Sequence, residues 1–120
     1  MSLPPHSAAQ SSQSNPKLPP PAISAETAAR LLAFRDARRW APKHNPKDLA
    51  ASIVIEAAEL LEVFQWSGDD LECRDKHEQM EDELADVFAY ALLLADRIGA
   101  SPDQILLKKL EKLEKKYPAE

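Results

Sequence analysis

Apolar residues recur three to four positions apart between Ser24 and Lys116, which is the spacing of one face of an α-helix. No segment alternates apolar and polar residues as a half-buried strand would, and the chain contains only two glycines. The pattern therefore predicts an all-α fold, which we interpret as a four-helix bundle.

Capping residues and helix breakers set the boundaries of these helices. Ser24, Asn45 and Ser101 have side chains that cap helix N-termini, and a proline at the first helical position follows the last two. Gly99 supplies a left-handed stop. The predicted helices run from the Ser24 cap to about Ala41, from the Asn45 cap to about Trp66, from a start between Leu71 and Lys76 through Ile98, and from the Ser101 cap to about Lys116.

Residues 1–23 lack this periodicity. They hold six of the ten prolines and five serines, and such a composition buries too little apolar surface to fold. We predict a disordered Pro/Ser-rich tail over residues 1–23 and one folded domain over residues 24–120. A domain of this size that is rich in Leu and Ala covers its apolar surface incompletely, which favours a homo-oligomer.

The overall charge and the cysteine count narrow the classes of partner. A formal net charge of −5 argues against binding to a nucleic acid polymer, because such binding relies on clustered Lys and Arg. No apolar run reaches the roughly 18 residues that span a membrane. The one cysteine, Cys73, cannot form an intrachain disulfide, so we expect a cytoplasmic location.

Acidic residues interrupt the apolar faces of two predicted helices. Glu56 falls inside the face of the second helix, and Glu59 lies at its edge. On the third helix Glu83 borders the apolar stripe, and Asp86 follows one turn later. The two faces consist of Leu49, Ile53, Ala57, Leu60, Val63 and Phe64 on the second helix, and of Met80, Leu84, Val87, Ala91, Leu94 and Ile98 on the third.

Four carboxylates that point toward an interior repel one another and lose hydration, so they are either protonated or enclose a cation. A hard divalent ion suits oxygen ligands. The solitary cysteine and the scattered His6, His44 and His77 provide no soft-metal site. We therefore predict bound Mg²⁺, with Mn²⁺ as a substitute.

These residues belong to a longer pattern that resembles the MazG-like all-α nucleoside triphosphate pyrophosphohydrolases, in particular their dCTP pyrophosphatase branch. The resemblance covers roughly Phe34 to Pro118. It is carried by a Glu-x-x-Glu pair, here EAAE at residues 56–59, and a Glu-x-x-Asp pair, here ELAD at residues 83–86. The stretches FRDARRW, HNPKDLA, FQW and KKYP make the match more specific.

The resemblance implies hydrolysis between the α and β phosphates of a (deoxy)nucleoside triphosphate, such as dCTP or a modified nucleotide, to a nucleoside monophosphate and pyrophosphate. It assigns the magnesium to Glu56, Glu59, Glu83 and Asp86. One glutamate of the second helix would act as the general base, and we favour Glu59 over Glu56. Family members form homodimers or homotetramers, so the expected partner is a second copy of the chain.

The resemblance also indicates residues that contact the nucleotide. Trp40 and Trp66 match positions that line the base pocket, and His44 and Tyr90 match further substrate contacts. Basic residues near the phosphates correspond to Lys47, Lys109 and Lys116. The chain departs from the family at Leu113 and Asp48, where relatives often have asparagine, although an acid in the first turn of a helix also favours the helix dipole.

Two alternatives stay open. A pyrophosphohydrolase of this fold could act on a different nucleotide, such as dUTP or phosphoribosyl-ATP, because the metal machinery reads only phosphates. The chain could instead be a non-catalytic helical oligomerisation module whose carboxylates form salt bridges with its lysines.

Overall fold

The computed structural model describes residues 22–120 and has the predicted number of helices. Two short 3₁₀ turns, Ala41–Lys43 and Arg74–Lys76, precede the second and third helices. The described residues form no strand, so the all-α prediction is confirmed. The predicted tail lies outside the described residues except for its last two positions. The helices are α1 (Ala25–Ala37), α2 (Pro46–Glu62), α3 (His77–Arg97) and α4 (Pro102–Lys116).

All three predicted N-caps are confirmed. The side chains of Ser24, Asn45 and Ser101 each accept a hydrogen bond from the backbone N–H three residues later, at 3.0, 2.8 and 3.3 Å. Each bond satisfies one of the free donors of a helix start. The Asn45 amide also donates to the Asp48 carboxylate at 2.8 Å. Asp48 therefore strengthens the start of α2.

Helix α1 ends at Ala37, four residues before the predicted end. Arg39 adopts a φ of 55°, the left-handed conformation that stops a helix and that glycine usually occupies. The N–H of Arg39 donates to the carbonyl of Asp36 at 3.0 Å, and that of Trp40 to the carbonyl of Arg35 at 3.2 Å. This pair of bonds is a Schellman motif, and no glycine marks it in the sequence.

Two other boundaries differ from the prediction. Helix α2 ends at Glu62 rather than near Trp66, because the N–H groups of residues 63–65 donate to carbonyls three positions earlier and tighten the last turn. Helix α3 starts at His77, one residue after the predicted window, because the 3₁₀ turn occupies that window. The ends of α3 and α4 lie within one residue of the prediction.

The antiparallel pair of α2 and α3 carries most of the packing between helices. The end of α2 lies beside the start of α3, where the Lys76 ammonium donates to the Val63 carbonyl at 3.5 Å. Helix α1 is joined to α3 by Arg35, whose guanidinium lies 2.7 Å from the Asp96 carboxylate. Helix α4 makes few contacts with the others. None of the described helices is long and apolar enough to cross a membrane.

Burial agrees with the predicted face of α2 better than with that of α3. Leu49 and Val63 on the predicted face are buried, with 1% and 7% exposure. On α3 the buried residues are Leu93 and Ala95, whereas the predicted Ile98 is 57% exposed. The second half of α3 is apolar on nearly all sides, so its periodicity does not single out the face that α2 covers.

Replacing Arg39 by glycine should stabilise the protein. A side chain in the left-handed conformation costs about 1 kcal/mol or more, and glycine avoids that cost. We expect Arg39→Gly to raise the free energy of unfolding by about 1 kcal/mol in urea titrations followed by circular dichroism. Arg38→Gly is the control: Arg38 has a φ of −98°, so glycine brings no relief there, and loss of the hydrogen bond to the Phe34 carbonyl and of the contact with the Phe34 ring should lower stability. Equal stability of Arg39→Gly and wild type would show that Arg39 is not strained.

Candidate metal centre

The α2–α3 pair brings the four predicted carboxylates together. One carboxylate oxygen each from Glu56, Glu59, Glu83 and Asp86 lies within 4.8 Å of the other three. The i, i+3 spacing places both members of each pair on one side of their helix. Because α2 and α3 run antiparallel, the two acidic sides then face each other. We call this group the carboxylate cluster.

The cluster is held in a partly desolvated position without counter-charges from the chain. Glu56, Glu59 and Glu83 are half-buried, and Asp86 is exposed. Glu56 Oε2 and Glu83 Oε2 are buried and have no hydrogen-bond partner. Among residues 22–120, no member of the cluster forms a salt bridge. Buried oxygens of this kind destabilise a fold unless a proton or a cation satisfies them.

Desolvation and mutual repulsion raise the pKa of two members of the cluster. Loss of hydration raises the pKa of Glu56 to about 7, and a hydrogen bond with Glu59 and the negative charges of Glu59, Asp86 and Glu83 add to the rise. The pKa of Glu83 is raised for the same main reason, followed by its hydrogen bond with Glu59. A divalent cation would replace these protons, and an all-oxygen donor set suits a hard ion.

A solvent-accessible cleft of about 250 Å³ adjoins the cluster and shares Glu59 and Glu83 with it. It lies between the end of α2 and the start of α3, so a ligand there would touch the cluster directly. Lys76 is the only basic residue in its lining. The lining consists of Glu59, Glu62, Val63, Lys76, Gln79, Asp82 and Glu83.

Comparison with known proteins gives the family. The family model described as MazG-like matches residues 51–120. The chain belongs to the MazG-like family. It is 31% identical over 104 residues to dCTP pyrophosphatase 1 of Mus musculus, covering 82% of this chain and 61% of that protein. The Homo sapiens protein of the same name is 31% identical over 105 residues, covering 82% of this chain and 62% of that protein.

A solved structure extends the comparison to the fold. The crystal structure of a pyrophosphatase from Archaeoglobus fulgidus DSM 4304 is similar, with a TM-score of 0.71 and 44% sequence identity. The match covers 78% of this chain and 91% of that one. The chain spans about three fifths of the length of the curated relatives that it matches.

Two of the residues expected at the base pocket of a MazG-like protein lie together before α2. The ring of Trp40 is 5.6 Å from that of Phe34 at an interplanar angle of 80°, and 6.1 Å from that of His44. His44 Nδ1 is buried without a hydrogen-bond partner. The Schellman motif at the end of α1 positions Trp40, because it turns the chain so that Trp40 packs on Phe34.

Trp66 lies elsewhere. It follows the end of α2, is 87% exposed, and is separated from Trp40 by the whole of α2, a length of about 25 Å at 1.5 Å per residue. One chain therefore does not bring Trp40 and Trp66 to the same pocket. Tyr90 is half-buried on α3, one turn beyond Asp86, as its spacing requires.

The predicted phosphate-binding lysines are also dispersed. Lys47 is exposed in the first turn of α2, about 14 Å along the helix axis from Glu56. Lys109 lines an apolar depression between α3 and α4, and the Lys116 ammonium lies 5.4 Å from the centre of the Tyr117 ring. None of these three lysines lines the cleft beside the cluster.

Sequence reasoning missed four polar residues that line this cleft, namely Glu62, Lys76, Gln79 and Asp82. Glu62 follows Glu59 by three positions, and that spacing alone could have placed it on the same side of α2. Lys76 carries no such signal, because its position depends on how the 3₁₀ turn Arg74–Lys76 connects the two helices.

The raised pKa values predict how stability depends on pH when no metal is bound. A carboxyl whose pKa rises on folding stabilises the fold below its unfolded value, and this contribution disappears as the pH passes the folded value. For Glu56 the window runs from the ordinary value of 4.5 to about 7. In the presence of EDTA, we therefore expect the melting temperature of Glu56→Gln minus that of wild type to increase as the pH rises from 4.5 to 8.

Stabilisation by magnesium should increase with pH, because protons compete with the ion for the same oxygens. We expect Mg²⁺ to raise the melting temperature of wild type more at pH 8 than at pH 5. A difference between wild type and Glu56→Gln that stays constant with pH would show that folding does not raise the pKa of Glu56.

Proposed function

We propose that the chain is a Mg²⁺-dependent nucleoside triphosphate pyrophosphohydrolase that cleaves between the α and β phosphates. The observation that carries the proposal is the carboxylate cluster, with two buried and unpartnered oxygens, beside an open cleft. The relatives named dCTP pyrophosphatase support this reaction and make dCTP and modified deoxynucleotides the first substrates to test.

Each residue of the cluster has a role in this proposal. Glu56, Glu83 and Asp86 hold the ion, with Glu59 completing its ligands. A bound divalent cation supplies charge neutralisation at the phosphates and makes a coordinated water more acidic. Glu59 and Glu83 both line the cluster and the cleft, and we assign Glu59, the one on α2, as the base that takes a proton from a water in the cleft.

The structure bears on the two alternatives. An oligomerisation module would need salt bridges between the cluster and lysines, and none is present among residues 22–120. A different nucleotide, such as dUTP or phosphoribosyl-ATP, remains an alternative substrate, because a metal ion held by the cluster would bind phosphates and not a base. We also propose a cytoplasmic location, because a reducing compartment suits the buried free thiol of Cys73.

Incubation with each common ribo- and deoxyribonucleoside triphosphate and Mg²⁺ tests the function. We expect pyrophosphate, not orthophosphate, as the product. We expect Glu59→Gln and Asp86→Asn each to lower kcat at least a hundredfold, because the first removes the general base and the second removes a charged ligand of the ion. Circular dichroism should show unchanged helix content. The base that gives the highest kcat/KM identifies the substrate.

The matched control is Glu81→Gln, which removes one charge from the same helix two residues before Glu83. The Glu81 side chain is 69% exposed and pairs with His77, at a distance of 3.2 Å, away from the cluster. It should retain activity within about twofold. Activity at the wild-type level in Glu59→Gln and Asp86→Asn would refute the role of the cluster.

We also propose that the chain works as a homodimer or homotetramer. Large apolar side chains of the described residues face solvent in the single chain, among them Leu61, Trp66 and Leu71 at 71%, 87% and 81% exposure. Helix α4 exposes three more in succession, residues 105–107. Exposed apolar surface on this scale marks an interface, and a second copy would cover it.

Charge placed in the apolar side of α4 should disrupt this assembly. Leu106 is 59% exposed in the single chain, so Leu106→Glu is tolerated by the monomer but not by an interface. We expect light scattering to give a dimer or tetramer for wild type and a smaller species for Leu106→Glu. Gln104→Glu adds the same charge in the first turn of α4 and should leave the mass unchanged. A monomeric wild type would exclude self-assembly.

A further inference from the structure

Lys76 is a cation in an otherwise acidic cleft. Its neighbours in the lining include four carboxylates, yet no described carboxylate lies within salt-bridge distance of its ammonium. The one hydrogen bond that Lys76 donates goes to the Val63 carbonyl at 3.5 Å, which is the long limit for such a bond. A lysine ammonium has three donors, so two are available to a ligand. The carboxylates in the lining are Glu59, Glu62, Asp82 and Glu83.

The contact with Val63 explains how the ammonium is positioned. Val63 follows the last residue of α2, and a cation there interacts favourably with the negative end of the helix dipole. The same contact holds the half-buried side chain of Lys76 over the cleft rather than in solvent. An ammonium that is fixed in this way loses little conformational freedom when an anion arrives.

The position of Lys76 along the α2–α3 pair suggests which anion would bind there. Val63 lies one helical turn, about 6 Å, beyond Glu59, so the ammonium and the cluster are at neighbouring points of one cleft. Trp40 and His44 precede α2 and therefore lie beyond the opposite end of the cluster. A triphosphate that reacts at the cluster with its base toward Trp40 extends its terminal phosphates toward Lys76.

We propose that Lys76 binds the β and γ phosphates of the substrate, and hence the leaving pyrophosphate. This inference rests on the proposed function. In the reaction, the oxygen of water bonds to the α phosphorus and its proton passes to Glu59. The bond from the α phosphorus to the bridging oxygen breaks, and its electron pair stays on the pyrophosphate. Lys76 neither gains nor loses a proton, and its charge stabilises the added negative charge of the leaving group.

The negative charges of the cleft lining explain why a cation is needed where the terminal phosphates would bind. Glu62 and Asp82 lie in the cleft outside the carboxylate cluster, and they would repel terminal phosphates. Lys76 offsets that repulsion, and it is the only basic side chain that the described residues contribute to the lining. It would also distinguish a triphosphate from a monophosphate, which has no group that reaches the ammonium.

Lys76→Met and Arg74→Met form a matched pair that tests the proposal. Both remove one positive charge from the same 3₁₀ turn, but the Arg74 side chain is 84% exposed and pairs with Glu72 outside the cleft. With the full chain, Mg²⁺ and the best substrate, we expect Lys76→Met to weaken inhibition by inorganic pyrophosphate about tenfold or more. Its kcat/KM should fall by a similar factor. Inhibition by the nucleoside monophosphate should stay within twofold of wild type, and Lys76→Arg should recover most of the pyrophosphate binding.

A purely structural role for Lys76 gives a different pattern. If the ammonium only caps α2, Lys76→Met lowers the melting temperature but binds pyrophosphate as Arg74→Met does, and the proposal is wrong. Weaker binding of the monophosphate instead of pyrophosphate would also overturn it. If Lys76→Met does not fold, Lys76→Gln replaces it, because glutamine keeps a polar side chain with a hydrogen-bond donor while the charge is lost.

Calorimetry with inorganic pyrophosphate and Mg²⁺ separates this inference from the proposed function. Hydrolysis by wild type together with unchanged pyrophosphate affinity in Lys76→Gln refutes the role of Lys76 alone. A wild type that hydrolyses no triphosphate refutes the function, whereas loss of pyrophosphate binding in Lys76→Gln would still support an anion site at this lysine.

Discussion

The repulsion among four carboxylates on the α2–α3 pair is the constraint on which the rest of the structure depends. Packing of the apolar sides of α2 and α3 forces Glu56 and Glu83 toward each other and strips water from them. Among residues 22–120, no basic side chain pairs with either. The described part of the fold thus has a deficit of positive charge at one point, which a divalent cation would relieve.

Local signals determined most of what the sequence could predict. The caps at Ser24, Asn45 and Ser101 act within one helical turn, and they appeared where expected. The carboxylate cluster was also predictable as a grouping, because i, i+3 pairs on two consecutive helices need only an antiparallel hairpin to meet. Both features depend on short-range geometry, which the order of residues encodes directly.

Features that depend on non-local packing escaped prediction. The left-handed Arg39 ends α1 without a glycine, and the turn that it makes brings Trp40 onto Phe34. The buried face of α3 could not be identified from a segment that is apolar on nearly all sides. The separation of Trp40 from Trp66 was equally hidden, because motif matching assigns residues to a pocket without giving the distance between them.

The four carboxylates of the cluster all lie on α2 and α3, and this affects how the sequence of such a protein can evolve. Neither α1 nor α4 contributes a carboxylate, whereas Trp40 and His44 belong to the segment between α1 and α2. Under the proposed function, substitutions in that segment would alter the recognised base while the reacting centre stays intact. Selectivity and chemistry can therefore diverge independently among descendants of one ancestral chain.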